Sequence, residues 1–542
     1  MNANPNYNPY PSHRSVTYGK NGMVATSQPL AAGAGLDILK KGGNAIDAAI
    51  ATAACLTVVE PTSNGIGGDA FAIVWTKDNQ MYGLNASGSA PKAISIEKVK
   101  AQGNTDEKMP TFGWTPVTVP GAPSAWAALS EKFGKLHLYE VLEPAIRYAK
   151  EGYPVSPILG HFWNNAYKFY KEKMDEDDYA EWYKTFAPKG RAPKVGEMMT
   201  LPDHAKTLDE IGKTNAESFY RGPLAEKIAY ASKKAGGFLT ATDLADYHPE
   251  WVDPIKVNYR GYDIWELPPN GQGLVALSAL NILKEFSFSP TTRDTADTIH
   301  KQIEALKMAF TAGKKAITDS KLMEQDQIDY LLGEEFARKS ASQIGEDALD
   351  PEACDLAKGG TVYLCTADSE GNMVSYIQSN YMGFGSGIVV PGTGIAMQNR
   401  GADFSLDPKH ANALAGGKKT YHTIIPGFLS KDGQGIGPFG VMGGYMQPQG
   451  HVQVIMNTLD FDLNPQMALD APRFQWLEGK QIEVEKGFPT HIANELATRG
   501  HHIKVALSPG SFGRGQIIWR NPENGVLSGA TESRCDGSVV GY

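Results

Sequence analysis

Gly359-Gly360-Thr361 sits where a polar, weakly patterned stretch, Lys339 to Lys358, gives way to β-rich sequence. Two glycines before a hydroxyl let the backbone bend until the threonine oxygen reaches the carbonyl in front of it. That geometry permits an intramolecular N-to-O acyl shift, and breaking the Gly360–Thr361 bond leaves Thr361 with a free α-amine. A hydroxyl is a weak nucleophile without a base to take its proton. An α-amine, with an ordinary pKa of about 7.7–8.0, is such a base near neutrality. One residue thus supplies attacking atom and proton acceptor, and the branched Cβ stiffens χ1 and aims the oxygen. A Gly-Gly pair before a strand is usually a plain turn, so the pattern gains weight from its partners.

Three further groups could serve the same reaction. Gly443-Gly444, in Val441-Met-Gly-Gly-Tyr445, can present two backbone N–H groups, unshielded by side chains, to a tetrahedral oxyanion. His422-Thr423 precedes the apolar run Ile424–Leu429 and can line a cleft. Arg400 and Asp403 on a loop form either a surface ion pair of little energetic weight or, in a pocket, a grip for a substrate carboxylate and amine. One motif reads as a decoy. Gly435-Ile-Gly437-Pro-Phe-Gly440 matches GxGxxG, but it follows a Lys431-Asp-Gly turn and enters a strand-like run. A dinucleotide site needs a strand before the glycines and a helix after them.

Several elements must position these groups. Ser27 is placed to cap a helix carrying Leu30, Leu36 and Leu39, which Gly42-Gly43 ends. Asn44 caps a second, alanine-rich helix over Ala45–Thr57. Ala70–Trp75 and Met81–Asn85 read as paired strands. Residues 121–349 read as mostly helical, with apolar periodicity in Ser124–Phe133 and Thr298–Ala312, and Tyr167–Glu181 reads as a surface helix. Thr361–Ala367 and Met373–Gln378 form a hairpin through Asp368-Ser-Glu-Gly371-Asn372. Further strand-like runs are Ile388–Val390, Ile395–Gln398, His422–Leu429, Phe439–Met442 and Ile482–Val484. They alternate with helices at His451–Leu459 and Asn464–Ala471. Helices, then strands, then helices again predict layered α+β packing.

The bulk numbers exclude other classes. The 542 residues carry a net charge of −9, against a nucleic-acid or anionic-lipid surface. The longest apolar run, Ala45–Val59, is too short and too polar to span a membrane. Met1–Arg14 has no signal-peptide pattern. The four cysteines, Cys55, Cys354, Cys365 and Cys535, show no metal spacing, and their scarcity fits a reducing compartment. The expectation is a cytoplasmic protein.

These pieces together resemble the γ-glutamyltranspeptidase family. The resemblance runs almost end to end, through Pro29–Leu36, Gly42-Gly-Asn-Ala-Ile-Asp-Ala-Ala49, Glu60-Pro-Thr-Ser-Asn-Gly-Ile-Gly-Gly-Asp69, Val119-Pro-Gly121 and Pro268-Pro-Asn-Gly-Gln-Gly273. It is densest from Gly360-Thr361 through Phe384-Gly-Ser-Gly-Ile388 to Asp403-Phe404, and ends in Ala471-Pro-Arg-Phe474, Val484-Glu-Lys-Gly487 and Asp536-Gly-Ser-Val-Val-Gly-Tyr542. It implies a four-layer αββα sandwich of the N-terminal nucleophile type. It also implies self-cleavage into a large subunit, 1–360, and a small one, 361–542, that stay together as a heterodimer, with no metal or organic cofactor. Thr361 matches the family's nucleophile, and Ser379 falls where the family has a supporting threonine. Asp403 matches the acid that holds the substrate α-amine, and Gly443 and Gly444 match the oxyanion glycines.

Departures cluster in the substrate grip. Ser87 replaces the arginine that holds the substrate carboxylate, Tyr381 an asparagine, Arg400 a glutamine, and His422-Thr423 a Ser-Ser pair. Arg400 can supply the missing positive charge from the other side of the pocket, a pattern that looks like the family's acylase-like branch. The implied substrates are γ-glutamyl amides such as glutathione or, alternatively, amides with a glutaryl-like side chain such as cephalosporins. An uncleaved binding protein on the same fold is the reading from another class.

Overall fold

The computed structural model describes residues 14–103, 108–351, 356, 359–507 and 509–542. Two seven-stranded sheets, antiparallel at every pairing, face each other. In spatial order the first runs Ser538–Gly541, Gly22–Thr26, Gly360–Asp368, Met373–Tyr381, Asp69–Trp75, Met81–Ala86 and Glu250–Val252. The second runs Thr17–Gly19, Leu527–Thr531, Arg514–Arg520, Gln434–Met442, Gly427–Lys431, Tyr262–Glu266 and Ile255–Tyr259. Between them lies a dry layer that includes Phe71, Ile73, Tyr363, Ile377, Phe428 and Ile518. Helices Pro29–Lys40 and Ala45–Val59 cover the outer face of the first sheet, and Gly273–Leu283 and Met446–Leu459 that of the second. The layers are therefore α, β, β, α, as expected.

The helix Ala45–Val59 shows why its sequence reads so clearly. Every residue in it is buried, and Asn44 closes a capping box with Asp47. Small alanines let it lie close to the helix Pro29–Lys40 and to the Thr361 strand. Replacing Ile50 there with alanine would cost about 2–5 kcal/mol, the usual range for a cavity in a packed core.

Several expectations need correction. Gln28, not Ser27, caps the first helix by accepting from Leu30 and Ala31 N–H, while Ser27 Oγ donates to Glu60 at 2.5 Å. The mostly helical middle contains three strands between Glu250 and Glu266. Tyr167–Glu181 is split between the helices Pro157–Lys173 and Ala180–Phe186. Ile388–Val390 and Ile395–Gln398 make only isolated bridges, and the strand expected from His422 starts at Gly427. Local propensity fails here because pairing partners, not side-chain type, decide strand content. The Lys339–Lys358 stretch is helical to Ala341, and Ala348 is buried; residues 352–355 and 357–358 lie outside the described residues.

Gly435–Gly440 lies inside the strand Gln434–Met442, which runs on past Gly440 where a dinucleotide site would open a helix. A Cβ on Gly437 would stand 2.0 Å from Ile518 O, and one on Gly440 2.6 Å from the Tyr363 ring. These glycines permit close strand and sheet packing, which removes the nucleotide reading. Cys55, Cys365 and Cys535 are free and buried, and Cys354 lies outside the described residues. Among the described residues no helix is long and apolar enough to cross a membrane.

Candidate active site

Thr361 stands at a β-bulge. In the hairpin, Gly360 pairs with Tyr381 and Val362 with Gln378, so Ser379 and Asn380 together face Thr361 alone. Bulges re-aim side chains and are common beside active sites. Here the bulge turns the Ser379 hydroxyl onto the Gly360–Thr361 peptide. Ser379 Oγ lies 2.8 Å from Gly360 O and 3.1 Å from Thr361 Oγ1, and Thr361 Oγ1 lies 2.7 Å from Gly360 O. Tyr381 N–H donates to Ser379 Oγ at 2.8 Å. One arrangement satisfies all four groups. Tyr381 N–H donates to Ser379, Ser379 donates to the Gly360 carbonyl, and Thr361 donates to Ser379. The carbonyl is then polarised, with the threonine oxygen beside it. Tyr381 takes φ +75° to make this turn, a strained conformation for an aromatic residue and of a kind that clusters at functional sites.

Gly443 and Gly444 follow the strand Gln434–Met442 at φ +138° and +59° and lead into the helix Met446–Leu459. A Cβ built on Gly359 would lie 3.1 Å from Gly444 Cα, so the oxyanion candidates stand against the residue before Gly360. Leu356, Gly359, Gly443 and Tyr445 share the wall of a cavity of about 30 Å³.

Arg400, Asp403, Tyr381 and Thr423 converge. Arg400 is fully buried, stacks over the Tyr381 ring at 4.1 Å, and donates through Nη1 to Thr423 Oγ1 at 2.9 Å and Asp403 Oδ2 at 3.3 Å. Its Nε and Nη2 are buried without a protein partner. Asp403 Oδ1 accepts from the Tyr381 and Tyr445 hydroxyls, each at 2.8 Å. Burial, with the Asp403 charge second, holds the Tyr445 phenol well above its usual range, so it stays a donor. Lys314 in turn donates to Tyr445 and lies 4.5 Å over the Tyr421 ring.

His422 and Ser87 belong to a neighbouring buried network instead. His422 accepts Ile424 N–H through Nδ1 at 3.3 Å, so its Nε2 carries the proton to Asp69 Oδ2 at 3.0 Å. Burial, then the Arg400 charge, keeps the imidazole neutral. Burial pushes the Asp69 carboxyl up to about 7, although Gln398 Nε2 and the N–H groups of Gly88 and Gly121 donate to its other oxygen. Ser87 Oγ donates to Asn85 Oδ1 at 2.7 Å and meets Asn270. Sequence reasoning passed over Asp69, Tyr445 and Lys314. The first two stand in motifs already noted, whereas nothing local in the helix Ala296–Ala316 marks Lys314.

A hydroxyl poised on a glycyl carbonyl, with two glycines beside it and a buried arginine ahead, is found with a sequence match along nearly all of the chain. Residues 31–542 match the model of the gamma-glutamyltranspeptidase family. This chain belongs to that family. The crystal structure of a cephalosporin acylase from Bacillus halodurans is 61% identical, with a TM-score of 0.96 and 99% of each chain covered. The glutathione hydrolase-like YwrD proenzyme of Bacillus subtilis is 34% identical over 96% of this chain and 99% of its own length. The oxamate amidohydrolase proenzyme of Klebsiella pneumoniae is 33% identical over 97% and 100%. The chain is an amidohydrolase or acylase of this family, with the N-terminal nucleophile fold.

Proposed function

We propose that this chain cuts itself between Gly360 and Thr361 and then hydrolyses amides whose acyl group ends in a carboxylate and lacks an α-amine. A glutaryl-like acyl chain is the representative case. The occupancy of Asp403 carries this choice. Three donors, Tyr381, Tyr445 and Arg400, already meet its carboxylate, so a substrate ammonium has to compete for it. Arg400 keeps two buried donor nitrogens, Nε and Nη2, without a protein acceptor, an expensive state that a carboxylate relieves. Oxamate, in the name of one relative, is likewise an amide with a carboxylate and no amine.

In self-cleavage, Thr361 Oγ1 adds to the Gly360 carbonyl carbon while Ser379 polarises its oxygen. The C–N bond breaks, the proton passes to the departing nitrogen, and an ester joins Gly360 to Thr361. Water cleaves the ester, giving a Gly360 carboxylate and a free Thr361 amine. In turnover that amine takes the Thr361 hydroxyl proton as the oxygen attacks the substrate carbonyl. Gly443 and Gly444 N–H groups hold the oxyanion, and Ser379 keeps the oxygen aimed. The proton passes to the leaving amine, and water or an acceptor amine resolves the acyl-enzyme.

A second reading is γ-glutamyl transfer or hydrolysis, for example on glutathione, which the retained Asp403 favours. Comparing release from glutaryl-, γ-glutamyl- and butyryl-anilides separates the two. The expected order places glutaryl first and butyryl last. Preference for γ-glutamyl supports the second reading, and no release from any of them by cleaved protein defeats both.

A further inference from the structure

The helix Ala296–Ala316 carries buried charge that the catalytic site does not use. Glu304, Lys307 and His300 are fully buried, and His501, from the turn before the strand His502–Ala506, is 2% exposed. A buried ion pair is a poor stabilising device, since desolvating both charges costs about as much as their attraction returns. What this one does is hold backbone. Lys307 Nζ donates to Glu304 Oε1 and to Leu349 O, each at 2.8 Å, while Leu349 N–H donates to Glu304 Oε2 at 3.2 Å. Both polar backbone groups of Leu349 are therefore held by opposite charges. His300 Nε2 donates to Gly345 O at 3.1 Å, so its Nδ1 is the acceptor for His501 Nε2–H at 2.9 Å. Ala348 N–H donates to Arg499 O at 2.7 Å.

We infer that Glu304 and Lys307, backed by His300 and His501, form a clamp on residues 345–349 that positions the upstream side of the Gly360–Thr361 bond for self-cleavage. This rests on the reading that the chain cleaves itself there. Leu349 stands twelve residues before Thr361, whereas the helix Glu334–Ala341 ends twenty before it. Losing the clamp lengthens the tether from the shorter span to the longer, about a 2-fold entropic handicap by loop-closure scaling. It also frees the direction in which the chain leaves Leu349. His501 and Arg499 lie in the small subunit and the rest in the large one, so after cleavage the same contacts hold the new tail to its partner.

His300, Glu304 and His501 also have the residue types of a metal site, with ligand atoms within 4.8 Å of one another. Lys307 takes the cation's place, and the two imidazoles hydrogen-bond each other directly. Glu304 and Lys307 are positioning residues, since neither touches Thr361 or the acyl pocket.

The test follows cleavage of freshly translated precursor on denaturing gels for wild type, Lys307→Met and the double variant Glu304→Gln/Lys307→Met. The double variant removes both charges and so avoids an unpaired buried carboxylate. Cleavage is expected to slow about 10-fold in both, the roughly 2-fold handicap of the longer tether multiplied by the lost orientation of the chain entering the bond. The kcat per matured site, titrated by the released small fragment, stays within about 2-fold of wild type, because the acyl pocket is untouched. Wild-type cleavage rates in the double variant, or a kcat that falls in step with cleavage, overturn the clamp. An uncut wild type instead overturns the cleavage reading on which it rests.

Discussion

The Thr361 hairpin and the Arg400–Asp403 loop lie at opposite ends of one catalytic task and are built by different means. In the hairpin, chemistry comes from backbone register: a bulge, one serine hydroxyl and a glycyl carbonyl, inside a sheet buried on both faces. Around the loop, the proposed recognition comes from charge: a buried guanidinium and a carboxylate meet two phenols, one of them from Tyr381 at the end of the hairpin itself. A register tolerates little substitution, since a one-residue slip sends every side chain to the other face. A charge network can be re-wired one partner at a time. On the proposed reading, the contrast explains how a chain would keep its nucleophile while changing its acyl grip.

The strongest way to break the contrast is at the register end. Thr361→Ala should leave one uncut polypeptide on a denaturing gel and no anilide release; activity in that variant would falsify the nucleophile assignment. Next comes Arg400→Met, which should lower kcat/KM on glutaryl-anilide about 100-fold, in line with two charge-assisted hydrogen bonds. Butyryl-anilide should hardly notice, and an equal loss on both would make Arg400 structural. Ser379→Ala should slow cleavage and turnover about 10-fold, as one hydroxyl hydrogen bond implies, with Ser379→Thr restoring both. Tyr381→Phe with Tyr445→Phe should raise the γ-glutamyl-to-glutaryl ratio about 5-fold by freeing Asp403; an unchanged ratio would show that the phenols do not set specificity.

The smallest effect is a pH slope in folding. Burial holds His501 down to about 3, against an ordinary value near 6.5. The unfolded chain therefore takes up this proton first. The His501 contribution is complete above about 6.5 and is lost as pH falls toward 3, at up to about 1.4 kcal/mol per unit. Asp69 has the opposite sign: raised to about 7, it adds stability at low pH that fades between about 3.9 and 7. Melting curves of His501→Asn and Asp69→Asn against pH should show slopes changed in opposite directions.

Much of the candidate site was legible because its motifs are local. Gly360-Thr361, Gly443-Gly444 and the Asp368-to-Asn372 turn each state their geometry within a few residues. The long buried helices were legible too, through their periodicity and the Asn44 cap. The strands Glu250–Val252 and Tyr262–Glu266 were not, because they exist by pairing with chain 160 or more residues away, as Trp251 with Leu84 and Trp265 with Phe428. The reach of Lys314 to Tyr445 and the Lys307 grip on Leu349 were equally silent, since lysines on a long helix look like a solvated face.

The sequence alone pointed to the proposed reactive chemistry, because a nucleophile released by its own backbone would need only neighbours in the chain. It determined the layered fold as well, through the alternation of apolar helix and strand. Tertiary structure decided which charges meet. Arg400 and Asp403 share one short helical turn, but Tyr381 and Tyr445 reach them from other segments, and only folding reveals that Asp403 is already occupied. Electrostatic partners are set by distance in space and by burial, and neither is written in the order of residues along a chain.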